Sequence, residues 1–134
     1  MKKNILFAFA LLLSLSSVSY AMGTTPDPKI YVTPEAWALG QIPQQTTHSK
    51  VIEVYNVGGA PLLIQNVRTS CGCTTTQIST KEILSRQSAT LEVSFFSGSF
   101  RGVNTKKVYI TSNDPKTPTF TFVLSAEVVS EEAK

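Results

Sequence analysis

Thr119-Phe120-Thr121-Phe122-Val123-Leu124-Ser125-Ala126-Glu127-Val128 is the stretch that decides the fold. Phe120, Phe122, Leu124, Ala126 and Val128 recur at every second position, with Thr119, Thr121, Ser125 and Glu127 between them and Val123 as the one departure. A period of two sends successive side chains to opposite sides of an extended chain, so this segment is a β-strand with one apolar and one polar face. The pattern continues upstream. Val51 to Asn56 alternates Ile52 and Val54 with Glu53 and Tyr55, and further strands are expected at Ile30 to Val32, Leu62 to Val67, Thr90 to Phe96 and Lys106 to Thr111.

Asn56-Val57-Gly58-Gly59-Ala60-Pro61, Ser97-Gly98 and Ser112-Asn113-Asp114-Pro115 separate these strands. Each is built from residues that tolerate positive φ or preset a turn. No stretch keeps a helical spacing, so the fold class is all-β: an immunoglobulin-like antiparallel β-sandwich of about seven to eight strands, whose two sheets bury their apolar faces against each other. Gly58-Gly59 reads as a hairpin signal and Trp37, just ahead of Gly40, as a core plug. Lys106-Lys107 places its charges on opposite strand faces and reads as solvated protection of a sheet edge.

A chain of 134 residues with 16% charged and 42% hydrophobic residues suits one globular domain, and it is neither disordered nor collagen-like in composition. Met1-Lys2-Lys3 opens with positive charge, Ile5 to Leu13 is an unbroken apolar run, and Ser14 to Ala21 turns small and polar. That is the order of a secretory signal peptide, and the run falls short of the roughly 20 residues a membrane span requires. The expected organisation is a signal peptide over 1–21 cleaved after Ala21, a flexible lead-in over 22–28, the sandwich over 29–129 and a flexible tail over 130–134. The product is expected to be periplasmic or secreted, without a membrane span. Loss of Lys2 and Lys3 takes the twelve basic residues to ten, against nine acidic ones. This balance lacks the footprint needed to neutralise a run of phosphates, so nucleic acid is excluded and an envelope or periplasmic protein is the expected partner.

Arg68-Thr69-Ser70-Cys71-Gly72-Cys73-Thr74-Thr75-Thr76 holds the only two cysteines, Cys71 and Cys73. Polar flanks place them at a partly exposed strand end. Three readings stand. A structural disulfide is the first, yet a three-residue loop gains only about 1.6 kcal/mol from closure. Such a bridge, bent at Gly72, is the easily reduced kind, which makes thiol-disulfide exchange the second. The third is a soft-metal site in which both thiolates hold Cu(I), to which Met22, on the flexible lead-in, could add a thioether. Zinc wants four ligands, and His48 is the only imidazole. Arg68 and the loop amides favour thiolate character, and Ser70, Gly72 and Thr74 support the loop.

His48 sits in Gln44-Gln45-Thr46-Thr47-His48-Ser49 and reads as a solvated turn residue just before a strand. The carboxylates are scattered, and no nucleophile has a base beside it, so no enzymatic activity is expected.

The run from Asn56 to Thr74 resembles the bacterial domain-of-unknown-function 1573 family, through its Asn-x-Gly turn, its Pro-Leu-x-Ile strand start and its Ser-Cys-Gly-Cys-Thr motif. Ser112-Asn113-Asp114, followed by a proline and a closing strand, is similar to the second half of that family. The likeness covers Ile30 to Val129. It departs at Ser85-Arg86-Gln87, where the family often has a Pro-Gly turn before the Ala89-Thr90-Leu91-Glu92-Val93 strand. The resemblance implies an exported immunoglobulin-like domain with a Cys-x-Cys loop and no established activity. The resulting expectation is a non-enzymatic binding or interaction module whose Cys-Gly-Cys loop can take Cu(I). A thiol-disulfide exchange accessory protein and a structural envelope module with an inert disulfide are the alternatives.

Overall fold

Alternating apolar residues become nine strands in the structure, a computed structural model that describes residues 26–130. They are β1 (Ile30–Thr33), β2 (Ala36–Pro43), β3 (Thr47–Asn56), β4 (Leu62–Thr69), β5 (Thr74–Ile78), β6 (Glu82–Ile83), β7 (Ser88–Phe96), β8 (Gly102–Ser112) and β9 (Thr119–Val129). The expected signal peptide, Met22 and residues 131–134 lie outside the described residues. One sheet has the order β1-β3-β7-β5 and the other β2-β9-β8-β4-β6, which makes an immunoglobulin-like sandwich. Neighbouring strands run antiparallel except β2 and β9, which are parallel.

Between the sheets lies one core. Ile52, Val54, Leu91, Val93 and Phe95 come from the first sheet and Leu62, Ile64, Val108, Ile110, Phe122 and Leu124 from the second, all buried. Each large side chain taken out of water in this way contributes about 1.5–3 kcal/mol, and together they are the main source of cohesion.

Neighbours in the sheets correct three local expectations. β8, which carries Lys106 and Lys107, lies between β9 and β4 and is not an edge strand. Lys106 instead sets its Nζ 4.2 Å from the centre of the Phe100 ring. Gly58-Gly59 does not make a hairpin, because β3 and β4 belong to different sheets. A Cβ on Gly58 would fall on the Asp27 carbonyl oxygen and 2.8 Å from the carbonyl carbon of Pro28, so glycine is needed for close approach of two backbone segments. The N–H of Gly59 donates to the Asp27 carbonyl at 3.0 Å and that of Val57 to the Lys29 carbonyl at 2.9 Å. Trp37 lies on β2 and is only half-buried against the core, with Lys50 Nζ 5.9 Å from its ring centre.

Two polar side chains seal this end of the sandwich. Asn56 is fully buried; its Oδ1 accepts from the amides of Lys29 at 3.3 Å and Gly58 at 3.0 Å, and its Nδ2 donates to the carbonyls of Ala60 at 2.7 Å and Ile83 at 2.9 Å. Asp114, also buried, accepts from Ile30 at 2.9 Å, Lys116 at 2.8 Å and Thr117 at 3.0 Å. Burial alone would raise the Asp114 pKa. The three amide donors and the charge of Lys29 outweigh it and hold the carboxyl below its ordinary value of 3.8. Asn113 adds an outer clasp, its Oδ1 accepting from the Leu63 amide at 2.8 Å. The Ser112-Asn113-Asp114 motif is thus a structural device.

Phe122→Ala removes a fully buried ring from the core and is expected to cost about 3–5 kcal/mol in urea unfolding. Asp114 makes a pH-dependent contribution of defined sign. A carboxyl whose pKa is lowered by folding stabilises the native state above its ordinary range, and that stability is lost as pH falls through the folded-state value. Asp114→Asn should destabilise the protein by about 1–3 kcal/mol at neutral pH, since a charged acceptor for buried amides is lost. Unfolding curves measured against pH should show the gap between variant and wild type closing on the acid side of the carboxylate range.

Candidate functional site

The two cysteines lie at the opposite end of the sandwich from Asn56. β4 belongs to the five-stranded sheet and β5 to the four-stranded one, so the residues between Thr69 and Thr74 carry the chain from one sheet to the other. Both sheets hold this crossing. The Ser70 N–H donates to the Lys107 carbonyl at 2.9 Å, and Ser70 Oγ accepts from the Lys107 amide at 3.0 Å. On the other side the Phe96 N–H donates to the Cys73 carbonyl at 2.9 Å. Thr69 Oγ1 and the Thr74 N–H both donate to the Cys71 carbonyl, at 2.8 and 3.4 Å.

Within this frame Cys71 and Cys73 form a disulfide, with Cα atoms 5.3 Å apart. Both residues are half-buried, and Gly72 between them is exposed. The two sulfurs differ in surroundings. Cys73 packs against the hydrophobic core and lies 3.8 Å from the Oγ1 of buried Thr74. Cys71 Sγ instead accepts the Cys73 N–H at 3.2 Å. A donor aimed at sulfur favours the negative charge that builds on it when the bridge opens.

Gly72 differs from expectation. Its φ is not in the left-handed region, and a Cβ there would meet nothing within 4 Å. The hydrogen bonds of Thr69, Ser70, Cys73 and Thr74 shape the bend, and neither φ nor crowding calls for glycine at this position. Arg68 is exposed on the outer face of β4, where its guanidinium stacks 5.8 Å from the centre of the Tyr109 ring.

His48 lies within β3 and not in a turn before it. Its register partner is Phe95, which on the far side pairs with Thr74, so the imidazole shares a cross-strand row with the start of β5. His48 Nε2 lies 2.9 Å from Thr46 Oγ1. Among the described residues no three His, Cys, Asp or Glu side chains gather into a metal centre. Among the same residues no helix is long and apolar enough to cross a membrane. The amide and carbonyl of Lys107 and the amide of Phe96 that fix the loop were not identifiable from sequence, since main-chain groups carry no residue signature.

Comparison with known proteins places this geometry. No curated protein matches the chain in sequence. Among solved structures, a protein of unknown function from Porphyromonas gingivalis superposes with a TM-score of 0.66 at 22% identity, covering 75% of this chain and 46% of that one. The chain thus spans about half the length of that relative. The ASH/PapD-like domain 7 of human CEP192 superposes at 0.56 with 14% identity, covering 79% of this chain and 89% of that one. A C. elegans MSP family member superposes at 0.52 with 12% identity, covering 75% and 97%. At these identities the likeness concerns the fold alone. The family model described as a protein of unknown function, DUF1573, matches residues 30–128, the whole sandwich from β1 to the end of β9, and the chain belongs to that family.

Proposed function

We propose that this chain is an exported, non-enzymatic interaction module that exchanges its Cys71–Cys73 disulfide with a protein dithiol of the envelope. The observation that carries the reading is the asymmetry of the two sulfurs: Cys73 is set against the core, and Cys71 receives an amide hydrogen bond. In the oxidised protein a partner thiolate attacks Cys71 Sγ. A partner–Cys71 disulfide forms, the Cys71–Cys73 bond breaks, and Cys73 leaves with the electron pair and takes up a proton. The partner's second thiolate then displaces Cys71, which departs as the thiolate stabilised by the Cys73 N–H. The partner ends oxidised by two electrons, and the Cys71–Cys73 pair ends reduced. The reverse sequence oxidises the module again.

The short loop supports this reading, because a bridge closing three residues contributes little to folding and opens at little cost. Reduction also exposes two soft donors on one loop, with Cα atoms 5.3 Å apart, and the pair can then hold one Cu(I) through both sulfurs. Copper binding is therefore expected of the reduced state alone.

Single-cysteine variants separate the roles. Incubated with oxidised glutathione at neutral pH, Cys73→Ser should form its Cys71 mixed disulfide about tenfold faster than Cys71→Ser forms one at Cys73, because Cys71 Sγ receives the amide of residue 73 while Cys73 packs against the core. Wild-type protein should pass through the adduct to the closed bridge. Equal rates in the two variants, or a wild-type bridge that resists dithiothreitol, would contradict the exchange role. Mass spectrometry of quenched time points gives both readouts.

A further inference from the structure

We infer that the open side of β5 is a docking edge for an extended segment of the partner, and that the partner segment pairs there main chain to main chain, bringing a cysteine to Cys71. The role of the cysteine rests on the exchange reading; the edge itself is argued independently.

Four strands end the two sheets: β1, β5, β2 and β6. Natural sheets block such edges, since unpaired N–H and C=O groups are templates for another chain. Three of the four are blocked here. β1 has four residues, stands between Pro28 and Pro34, and has its Ile30 amide taken by Asp114. β2 carries a register shift between Ala38 and Gln41, with Gly40 at positive φ, and ends on Pro43. β6 is two residues long, one of them Glu82, with Lys81 preceding it.

β5 lacks the charge, the proline and the register shift that guard the others, and only its first outward amide, Thr74 N–H, is taken, by the Cys71 carbonyl at 3.4 Å. Thr74-Thr75-Thr76-Gln77-Ile78 contains no charge and no proline, and its pairing with β7 runs without a register shift. Hydrogen bonds from Phe96 N–H to the Cys73 carbonyl and from Ser79 N–H to the Thr90 carbonyl fix the phase of that ladder. Alternation in an antiparallel pair then turns the main-chain groups of Thr76 and Ile78 toward the open side. An added strand would lie about 4.8 Å from β5.

Position and charge identify the occupant. β5 begins at the residue after Cys73, so a segment paired with it runs directly past the bridge. The outward face of this sheet carries Glu53 and Glu92 and no Lys or Arg, and Glu92 stands opposite Gln77 of β5. The segment that fits is an extended peptide without acidic residues, with a basic side chain near Glu92 and a cysteine beyond the end paired with Thr74. Recognition by strand addition takes its affinity from the main chain and its selectivity from such side-chain positions.

Thr76→Pro tests the edge, because it removes an amide facing the open side and leaves the ladder to β7 intact. The probe is a synthetic peptide of alternating threonine and valine with one lysine, ending in serine in one version and cysteine in the other. The serine version should shift the amide resonances of Thr76 and Ile78 in wild type and leave that of Ile78 unmoved in Thr76→Pro. The cysteine version should open the wild-type bridge about tenfold faster than reduced glutathione does, through raised effective concentration, and Thr76→Pro should lose that advantage while its glutathione rate is unchanged. Serine-peptide shifts that are absent, lie elsewhere, or persist in Thr76→Pro overturn the docking edge whatever the thiol chemistry does. Docking without reaction of either thiol leaves the edge standing and removes the exchange reading. A wild-type dimer in sedimentation that Thr76→Pro abolishes would assign the edge to a second copy, and would overturn the partner peptide as its occupant.

Discussion

Closure of two apolar sheet faces on one another is the constraint from which the rest of this structure follows. Phe122 and Leu124 of β9 and Leu91, Val93 and Phe95 of β7 are removed from water only if the sheets stack. Stacking leaves the two ends of the sandwich open, where strands stop and main-chain groups lack a ladder. One end is closed by side chains, with Asn56 and Asp114 satisfying amides and carbonyls from β1, β6 and two connections. Among the described residues no buried side-chain nitrogen or oxygen is left without a partner. The other end is closed by the Ser70–Cys73 crossing together with buried Ser97, whose Oγ accepts from the Thr46 amide and donates to the Pro43 carbonyl.

Segments whose alternation is strong were legible in the sequence because burial and period coincide there. β9 is the clearest case, and β1, β3, β4, β7 and β8 follow it with somewhat longer bounds than their apolar residues mark. β2 was not legible, because the shift at Gly40 breaks its period after Ala36-Trp37-Ala38-Leu39. β5 was hidden for the opposite reason: Thr-Thr-Thr-Gln-Ile carries almost no apolar signal and is a strand through its ladder to β7. β6, at two residues, is too short to show a pattern. Errors about Lys106-Lys107 and Gly58-Gly59 share one cause, since the sequence of a strand does not state which strands flank it.

Cys71 and Cys73 stood out from sequence as the one chemically distinctive pair, and the structure joins them. What their spacing did not reveal is the difference between them. That difference comes from the core on one side of Cys73 and from an amide two residues along the chain, neither of which has a signature in the motif. Gly72 shows the limit of residue-type reasoning. Glycine suggests a special φ, yet here the bend is held by hydrogen bonds and φ lies outside the left-handed region. In the proposed exchange, an edge strand free of charge and proline directly after the pair gives it a way to meet its partner.

The central claim is that burial holds this fold, leaving the bridge free to change oxidation state. Equilibrium urea unfolding of the same wild-type protein, oxidised and fully reduced, tests it most directly. The account predicts the same sheet content in both states and a stability difference below about 2 kcal/mol, the scale of a three-residue loop. Loss of the sheet on reduction, or a cost as large as that of emptying a core position such as Phe122, would make the bridge a structural staple and contradict the account.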